Sequence, residues 1–302
     1  MTKIRLFAWW TDSNSITNRF KQQFIGNRFD SPDIEFVTDD QYDYAIVFGF
    51  TREQINTDKN HTIYYMQEPY WSDNWDRDAN KKSSRVFVPD KSQYGNHKEM
   101  ISGPSKMLYG GHGDMHHEFK WNWSVDSMLT INPPKIKNLC VVQANNIPNY
   151  NKNAIYANRC NLVNGLKDTD LEIDIHGIYH DTEHPKSFGN CWNKKVGLND
   201  YRFSIAIENT ILNNFTTEKF YDCVLCDTVP VYYGAPNISD YIDSNSFLQL
   251  PSLCVEECLE FLKDQCTEEN YNKRLNSVQK LKQEFFTRSD INIWASIQAE
   301  IL

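Results

Sequence analysis

The chain has 302 residues, of which 40% are hydrophobic and 14% are aromatic. This composition supplies a core for about two domains and excludes a largely disordered protein. The net charge of −9 and the pI near 5.4 argue against electrostatic binding of nucleic acid, which requires clustered basic side chains.

The apolar runs are too short to cross a membrane, which requires about 18 or more consecutive apolar residues. The first residues reach Thr11 and Asp12 before the apolar region of a signal peptide could form. We therefore expect a soluble, cytoplasmic protein. Its eight cysteines are too dilute for a disulfide scaffold, so we expect free thiols.

Short apolar runs alternate with longer stretches of helical periodicity, which is typical of βαβ units. Strands are predicted at residues 3–9, 44–48, 62–66, 85–88, 138–143, 171–175, 203–207, 229–233 and 247–250. Helices are predicted at residues 11–24, 150–166, 217–226, 255–262 and 268–286, and an apolar segment follows at 291–302. Most strands are continuously apolar, which indicates parallel sheets buried on both faces.

Neither periodicity holds over residues 117–137, which contain Asn132, Pro133 and Pro134. This segment separates the two groups of strands. We therefore predict one α/β domain at residues 1–125 and a second at residues 126–289. Residues 290–302 are expected to pack back onto the first domain.

The stretch from residue 201 to residue 236 carries the clearest functional pattern. A buried strand ends at Glu208 and Asn209, and ligands bind at the carboxyl ends of strands in open α/β sheets. A short loop then leads to Thr216 and Thr217, either of which can cap the next helix.

Glu218 and Lys219 open that helix. A lysine in a first turn is mildly unfavourable unless an anion binds there, where backbone N–H groups and the helix dipole already favour negative charge. The pattern therefore indicates a phosphate site. The alternative is that Glu208, Glu218 and Lys219 form surface ion pairs.

The same stretch resembles the signature of the α-1,3/1,4-fucosyltransferases of glycosyltransferase family 10. That signature has a strand ending in Glu-Asn-(Ser/Thr), then Tyr-x-Thr-Glu-Lys, then Val-Pro-Val-x-x-Gly-x-Pro. The resemblance implies the GT-B fold, in which two Rossmann-like domains with parallel sheets face a cleft. It also implies an inverting enzyme that transfers fucose from GDP-fucose to a hydroxyl of a glycan acceptor.

Donor-binding residues follow from this resemblance. Glu218 corresponds to the glutamate that contacts ribose or sugar hydroxyls, Lys219 to the lysine on the diphosphate, and Asn209 to the asparagine beside it. Arg159, on the helix predicted at 150–166, resembles the arginine that clamps the diphosphate, although a solvated helix arginine is the alternative. We add Glu208 and Phe215 to this set, and Phe215 stands where the family usually has tyrosine.

The loss of that tyrosine hydroxyl leaves the choice of sugar open, so a transferase for a different GDP-sugar is one alternative. A second is a non-catalytic protein of the same fold that binds a nucleotide or carbohydrate.

In the first domain, the strand at 62–66 runs into Gln67, Glu68 and Pro69. A carboxylate at this end of a strand can act as a cleft-facing base, and Glu68 resembles the family's general base. The alternative is a carboxylate that only shapes the turn. Nearby Tyr70, Trp71 and Trp75 can stack on an acceptor sugar or belong to ordinary packing.

No metal site and no cofactor are predicted. The Asp-x-Asp triplets at Asp76 and Asp168 do not follow buried strands, and Cys223 and Cys226 fit a packed helix face better than a zinc site. We expect Arg159 and Lys219 to perform the electrostatic work of a metal ion.

Overall fold

The continuous apolar runs form two separate parallel sheets. The computed structural model describes residues 1–24, 28, 30–95, 97–107, 125–147, 155–190 and 197–302. The first sheet contains β1 (Thr2–Ala8), β2 (Ile34–Phe36), β3 (Tyr44–Phe48), β4 (Thr62–Tyr65), β5 (Arg85–Val88) and β6 (Met100–Ser102) in the order β2-β1-β3-β4-β5-β6. The second contains β7 (Lys137–Val142), β8 (Asp174–His176), β9 (Tyr201–Ile207), β10 (Val229–Tyr233) and β11 (Leu248–Gln249) in the order β8-β7-β9-β10-β11.

Helices connect the strands of both sheets. Those of the described residues are α1 (Ser13–Phe24), α2 (Ala79–Lys82), α3 (Lys91–Tyr94), α4 (Val125–Thr130), α5 (Tyr156–Lys167), α6 (Glu218–Leu225), α7 (Val255–Gln265), α8 (Glu268–Glu284) and α9 (Ile293–Ile301). None of them is long and apolar enough to span a membrane. The α/β class with parallel sheets is confirmed.

Burial on both faces explains why the strands of the first sheet are continuously apolar. On β3, Ile46 and Phe48 join one buried cluster, whereas Ala45 and Val47 join another. Successive side chains of a strand point to opposite faces, so both faces of this sheet are covered.

The C-terminal helix α9 covers part of the first sheet. The Trp294 ring lies 5.2 Å from the ring of Phe24 and 5.3 Å from that of Phe36. The Tyr65 hydroxyl on β4 donates a hydrogen bond to Ser296 Oγ at 3.0 Å. The domain limits at residues 125 and 289 stay a prediction.

Several elements differ from the sequence prediction. The short helices α2, α3 and α4 were not expected, and β11 is shorter than the strand predicted at 247–250. The short strands β2 and β6 were not expected, and each presents an exposed side chain within three residues, so neither makes a continuous apolar run. The strand predicted at 171–175 begins instead at Asp174. Leu171 and Ile173 are buried although they precede the strand, so the apolar run did not mark where the strand starts. The start of the predicted helix 150–166 and residues 117–124 lie outside the described residues.

The strand order of the second sheet indicates where a ligand crevice is expected. In the second sheet β8 and β9 lie on opposite sides of β7, so the connections reverse direction between β7 and β9. Open α/β sheets bind ligands at the carboxyl ends of strands next to such a reversal. Gln143 follows β7 there, and Glu208 follows β9.

A glycine is required in the turn after β10. A Cβ atom on Gly234 would lie 2.3 Å from Tyr232 Oη and 2.4 Å from Glu208 Cγ. Atoms cannot lie at such short distances, so the side chains of Tyr232 and Glu208 would have to move. The turn can therefore approach Glu208 only with glycine at this position.

We therefore expect Gly234→Ala to lower the free energy of unfolding by about 1–3 kcal/mol, the usual cost of overpacking. Chemical denaturation measures this loss. Gly103→Ala is the matched control, because no atom lies within 4 Å of its added Cβ. Equal stability of the two variants would contradict the steric argument.

Candidate active site

A buried carboxylate organises the carboxyl end of β9. Glu208 has no exposed surface, and its two carboxylate oxygens accept hydrogen bonds from Thr217 N at 2.7 Å and Thr217 Oγ1 at 2.6 Å. Burial raises the pKa of Glu208, whereas Lys219 opposes the shift. The loop between β9 and α6 is therefore fastened at both ends by one side chain.

The amino end of α6 carries the predicted cation. Of the two candidate caps, Thr217 caps α6 and accepts from Lys219 N, whereas Thr216 Oγ1 hydrogen-bonds to Tyr241 Oη. Lys219 Nζ lies 3.0 Å from Thr217 Oγ1, 3.2 Å from Glu218 Oε1 and 3.5 Å from Glu208 Oε2. Lys219 therefore forms the ion pairs with Glu208 and Glu218 that the sequence offered as an alternative to a phosphate site. Glu208, however, lies in the interior rather than on the surface.

Arg159 reaches the same place from α5. Its side chain is buried, with Nε donating to Gln143 Oε1 at 3.2 Å and Nη1 donating to Asn209 Oδ1. Burial lowers the pKa of the guanidinium, and Glu208 opposes this shift. This placement excludes a solvated helix arginine and unites Arg159 with Asn209, 50 residues away in sequence.

Arg159 and Lys219 line a pocket of about 340 Å³, part of it open to solvent, at the reversal between β7 and β9. Gln143, Arg159, Lys219 and Asp222 contribute to its wall. Arg159 and Lys219 bring two positive charges to this pocket, and Glu208, Glu218 and Asp222 lie beside them, so an anion would bind here in competition with these carboxylates.

The sequence prediction missed Gln143. It follows β7 directly, as Glu208 follows β9, and this position was the available signal. Gln143 is 6% exposed, and its Nε2 is buried without a hydrogen-bond partner among the described residues. A buried amide that lacks a partner is costly, so Gln143 offers a donor to a ligand.

A second loop lies against the backbone of Gln143. The backbone of Gly177 approaches so closely that a Cβ atom would lie 1.9 Å from Gln143 O, and His180 Nε2 donates to the same carbonyl at 2.8 Å. Beside His180, Tyr179 has a positive φ of 68° and is 70% exposed. This loop therefore packs on the backbone of Gln143 and leaves the Tyr179 side chain exposed.

Glu68 lies beyond the carboxyl end of β4 in the first sheet. It is half-buried three residues after β4, and its carbonyl accepts from Tyr94 Oη at 2.5 Å. Burial raises the pKa of Glu68 to about 7, Lys219 acts against the shift, and Glu218 adds to it. A carboxylate from the first sheet thus lies within electrostatic reach of the cationic end of α6.

Other predicted site residues have packing roles. Phe215 is buried in the cluster that contains Phe7 and Tyr64 of the first sheet, so its ring does not line the pocket. Trp75 belongs to the same cluster and is 6% exposed, which leaves no open face for an acceptor sugar. Tyr70 and Trp71 are half-buried, and an acceptor role for them stays a prediction.

The residues weighed as metal ligands stay apart. Within the described ranges, no group of three or more His, Cys, Asp or Glu side chains is arranged to hold a metal ion. Cys223 and Cys226 are buried free thiols on and after α6, and Cys254 is exposed.

Solved structures share the arrangement of the two sheets. A crystal structure of an alpha1,3-fucosyltransferase covers 95% of this chain and 89% of its own, with a TM-score of 0.53 and 17% identity. Anabaena Alr3699/HepE in complex with UDP covers 99% of both chains, with a TM-score of 0.56 and 9% identity. At such identities the likeness shows the fold, which is GT-B.

Curated relatives match over shorter segments. A putative fucosyltransferase-like protein of Arabidopsis thaliana is 33% identical over 96 residues, which are 32% of this chain and 18% of that protein. The rat GDP-fucose protein O-fucosyltransferase 3 is 44% identical over 81 residues, 25% of this chain and 17% of that protein. The Helicobacter pylori alpha-(1,3)-fucosyltransferase FucT is 29% identical over 82 residues, 27% and 17%. The matched segment therefore spans less than a fifth of each relative.

The sequence model of the family covers more of the chain. The family model described as "Glycosyltransferase family 10 (fucosyltransferase) C-term" matches residues 133–289. These residues hold the whole second sheet and the pocket that Arg159 and Lys219 line. Because the match covers more than half of the residues of this chain, the chain belongs to glycosyltransferase family 10.

Proposed function

We propose that the protein is an inverting glycosyltransferase that moves fucose from GDP-fucose to a hydroxyl of a glycan acceptor. The observation that carries this proposal is the position of Glu68. This carboxylate of the first sheet lies within electrostatic reach of Lys219 and Glu218 of the second, beside a pocket that Arg159 lines. Transfer of a sugar to an acceptor hydroxyl is helped by a base that takes the hydroxyl proton and by cations that stabilise the departing diphosphate. Glu68 on the first sheet and Arg159 and Lys219 on the second can provide these groups.

In this proposal the donor diphosphate binds between Arg159 and Lys219. Lys219 would exchange its contact with Glu218 for a phosphate oxygen, and Glu218 would then accept hydrogen bonds from ribose or sugar hydroxyls. Asn209 holds the Arg159 guanidinium in place. The unpartnered Gln143 Nε2 supplies a further donor to the nucleotide.

In the reaction, the ionised Glu68 takes the proton of the acceptor hydroxyl while its oxygen attacks the anomeric carbon. The bond from that carbon to the β-phosphate oxygen breaks on the opposite face, and GDP leaves with the electron pair. Arg159, Lys219 and the amino end of α6 stabilise the growing negative charge.

A protein hydroxyl is the second candidate acceptor. The observation in its favour is the match to relatives named GDP-fucose protein O-fucosyltransferase 3, which are up to 44% identical over the matched segment. Mass spectrometry of fucose transfer onto a glycan library and onto Ser/Thr peptides separates the two acceptor classes.

The Glu68→Gln variant tests the catalytic role. The amide keeps the shape of the side chain but accepts no proton, so we expect turnover to fall about 10²–10⁴-fold. The affinity for GDP, measured by titration calorimetry, should stay within about twofold because Glu68 lies outside the diphosphate pocket.

Unchanged turnover in Glu68→Gln would reject Glu68 as the base. A wild-type protein that binds GDP without any transfer would instead support a non-catalytic binding protein. Transfer from GDP-mannose but not from GDP-fucose would identify a different donor sugar.

The raised pKa of Glu68 also predicts how stability depends on pH. The folded carboxyl binds its proton more tightly than the unfolded one, with a pKa of about 7 against 4.5. The free energy of unfolding of the wild type therefore falls as the pH rises from the pKa of the unfolded carboxyl through that of the folded one. The Glu68→Gln variant does not show this fall, because its amide does not titrate. We expect the variant to gain melting temperature over wild type at about pH 8 but not at about pH 5. A constant difference across this range would argue against a desolvated carboxyl.

We further propose that turnover needs no divalent metal, because Arg159 and Lys219 supply the positive charge at the leaving group. Transfer should then continue in EDTA at a rate within about twofold of the untreated enzyme. Complete loss of activity that manganese restores would refute this.

A further inference from the structure

A second cavity lies at the carboxyl ends of β4, β5 and β6, outside the donor pocket. It encloses about 300 Å³ and is lined by Tyr65, Phe87, Val88, Ser105, Lys106 and their neighbours. The rings of Tyr65 and Phe87 stack at 4.8 Å on one side. This volume includes space that is open to solvent, so a ligand can reach the cavity wall from outside.

The cavity is adjacent to the proposed base. Met66, two residues before Glu68, lines it, and Gln67 Nε2 donates a hydrogen bond to Lys106 O at 3.1 Å. Ser105 N donates to Asn214 O at 2.7 Å, which ties the cavity wall to the loop before α6. A ligand in this cavity would therefore lie next to the segment that carries Glu68.

One wall of the cavity contains an unused hydroxyl. Ser105 is 5% exposed, and its Oγ has no hydrogen-bond partner among the residues that the structure describes. Such a group costs free energy in the empty protein and recovers it when a polar ligand binds.

The neighbouring Lys106 brings a positive charge without a carboxylate partner. Its Nζ donates to Asp290 O at 3.3 Å and lies 4.9 Å above the Phe87 ring. Across the described ranges, no Asp or Glu forms an ion pair with it. Burial lowers the pKa of Lys106, whereas Asp290 and Glu300 raise it. An ammonium group held at a cavity wall by a carbonyl and a ring is available to an anionic ligand.

We propose that this cavity is the acceptor subsite and that it binds an acidic sugar, whose carboxylate pairs with Lys106 and whose hydroxyl bonds to Ser105. The proposal rests on the proposed function, because the acceptor must present its reacting hydroxyl to Glu68. It replaces Trp75, whose ring is buried, as the acceptor contact.

The test compares sugars that differ only in the carboxylate. Methyl glucuronide and methyl glucoside, and the matching galacto pair, are titrated by NMR into the protein with and without GDP. In at least one pair the acid should bind about tenfold or more tightly than the neutral sugar. Lys106→Met should abolish this preference, Lys106→Arg should keep it, and the exposed Lys91→Met should not affect it.

Three results would overturn the acceptor proposal: no binding of either acid, equal binding of acid and neutral sugar, or an unchanged preference in a Lys106→Met protein that only melts earlier. Preferred binding of Ser/Thr peptides would point to a protein acceptor instead. The donor site is judged separately: a protein that binds the acid but not GDP would overturn the donor assignment and keep the cavity assignment.

Discussion

The site depends on one buried carboxylate. An ionised glutamate in the interior costs several kcal/mol unless its oxygens are satisfied. Glu208 meets this requirement with the backbone and hydroxyl of Thr217 and with the ammonium of Lys219. Because Thr217 caps α6, the same bonds fix where α6 begins, and the close approach of Gly234 leaves no room for Glu208 to move. Removing its charge would release the helix terminus on which the proposed diphosphate site is built.

This arrangement explains how an acidic chain can hold an anion. The net charge of −9 is spread over the whole molecule, whereas Arg159 and Lys219 meet in one partly buried pocket. Charges at the surface are screened within about 10 Å at ordinary salt, and buried charges much less. What binds therefore depends on these two cations and on the carboxylates of Glu208 and Glu218 that contact Lys219, whereas the total charge mainly affects solubility and non-specific association.

The sequence predicted elements better than contacts between them. Buried strands such as β3 and β10 were found to the residue, because burial on both faces leaves a continuous apolar run. The three-residue strands β2 and β6 were missed, since they are held by pairing with a neighbour rather than by an apolar run of their own. Within the site, local motifs identified Glu218 and Lys219, but the contact of Gln143 with Arg159 depends on which strands become neighbours. For the same reason the sequence left open whether Trp75 contacts a sugar or packs in the interior, and the structure buries it.

The return of the chain to the first sheet gives the two sheets a second connection. The chain passes from one sheet to the other between β6 and β7 and goes back between α8 and α9. These passages are joined where Met107 N donates to Ile291 O at 2.7 Å and Ile293 N donates to Met107 O at 3.1 Å. These two bonds form an isolated parallel bridge between the passages. The sheets that carry Glu68 and Lys219 are therefore connected by two crossings that are bonded to each other, rather than by one independent linker.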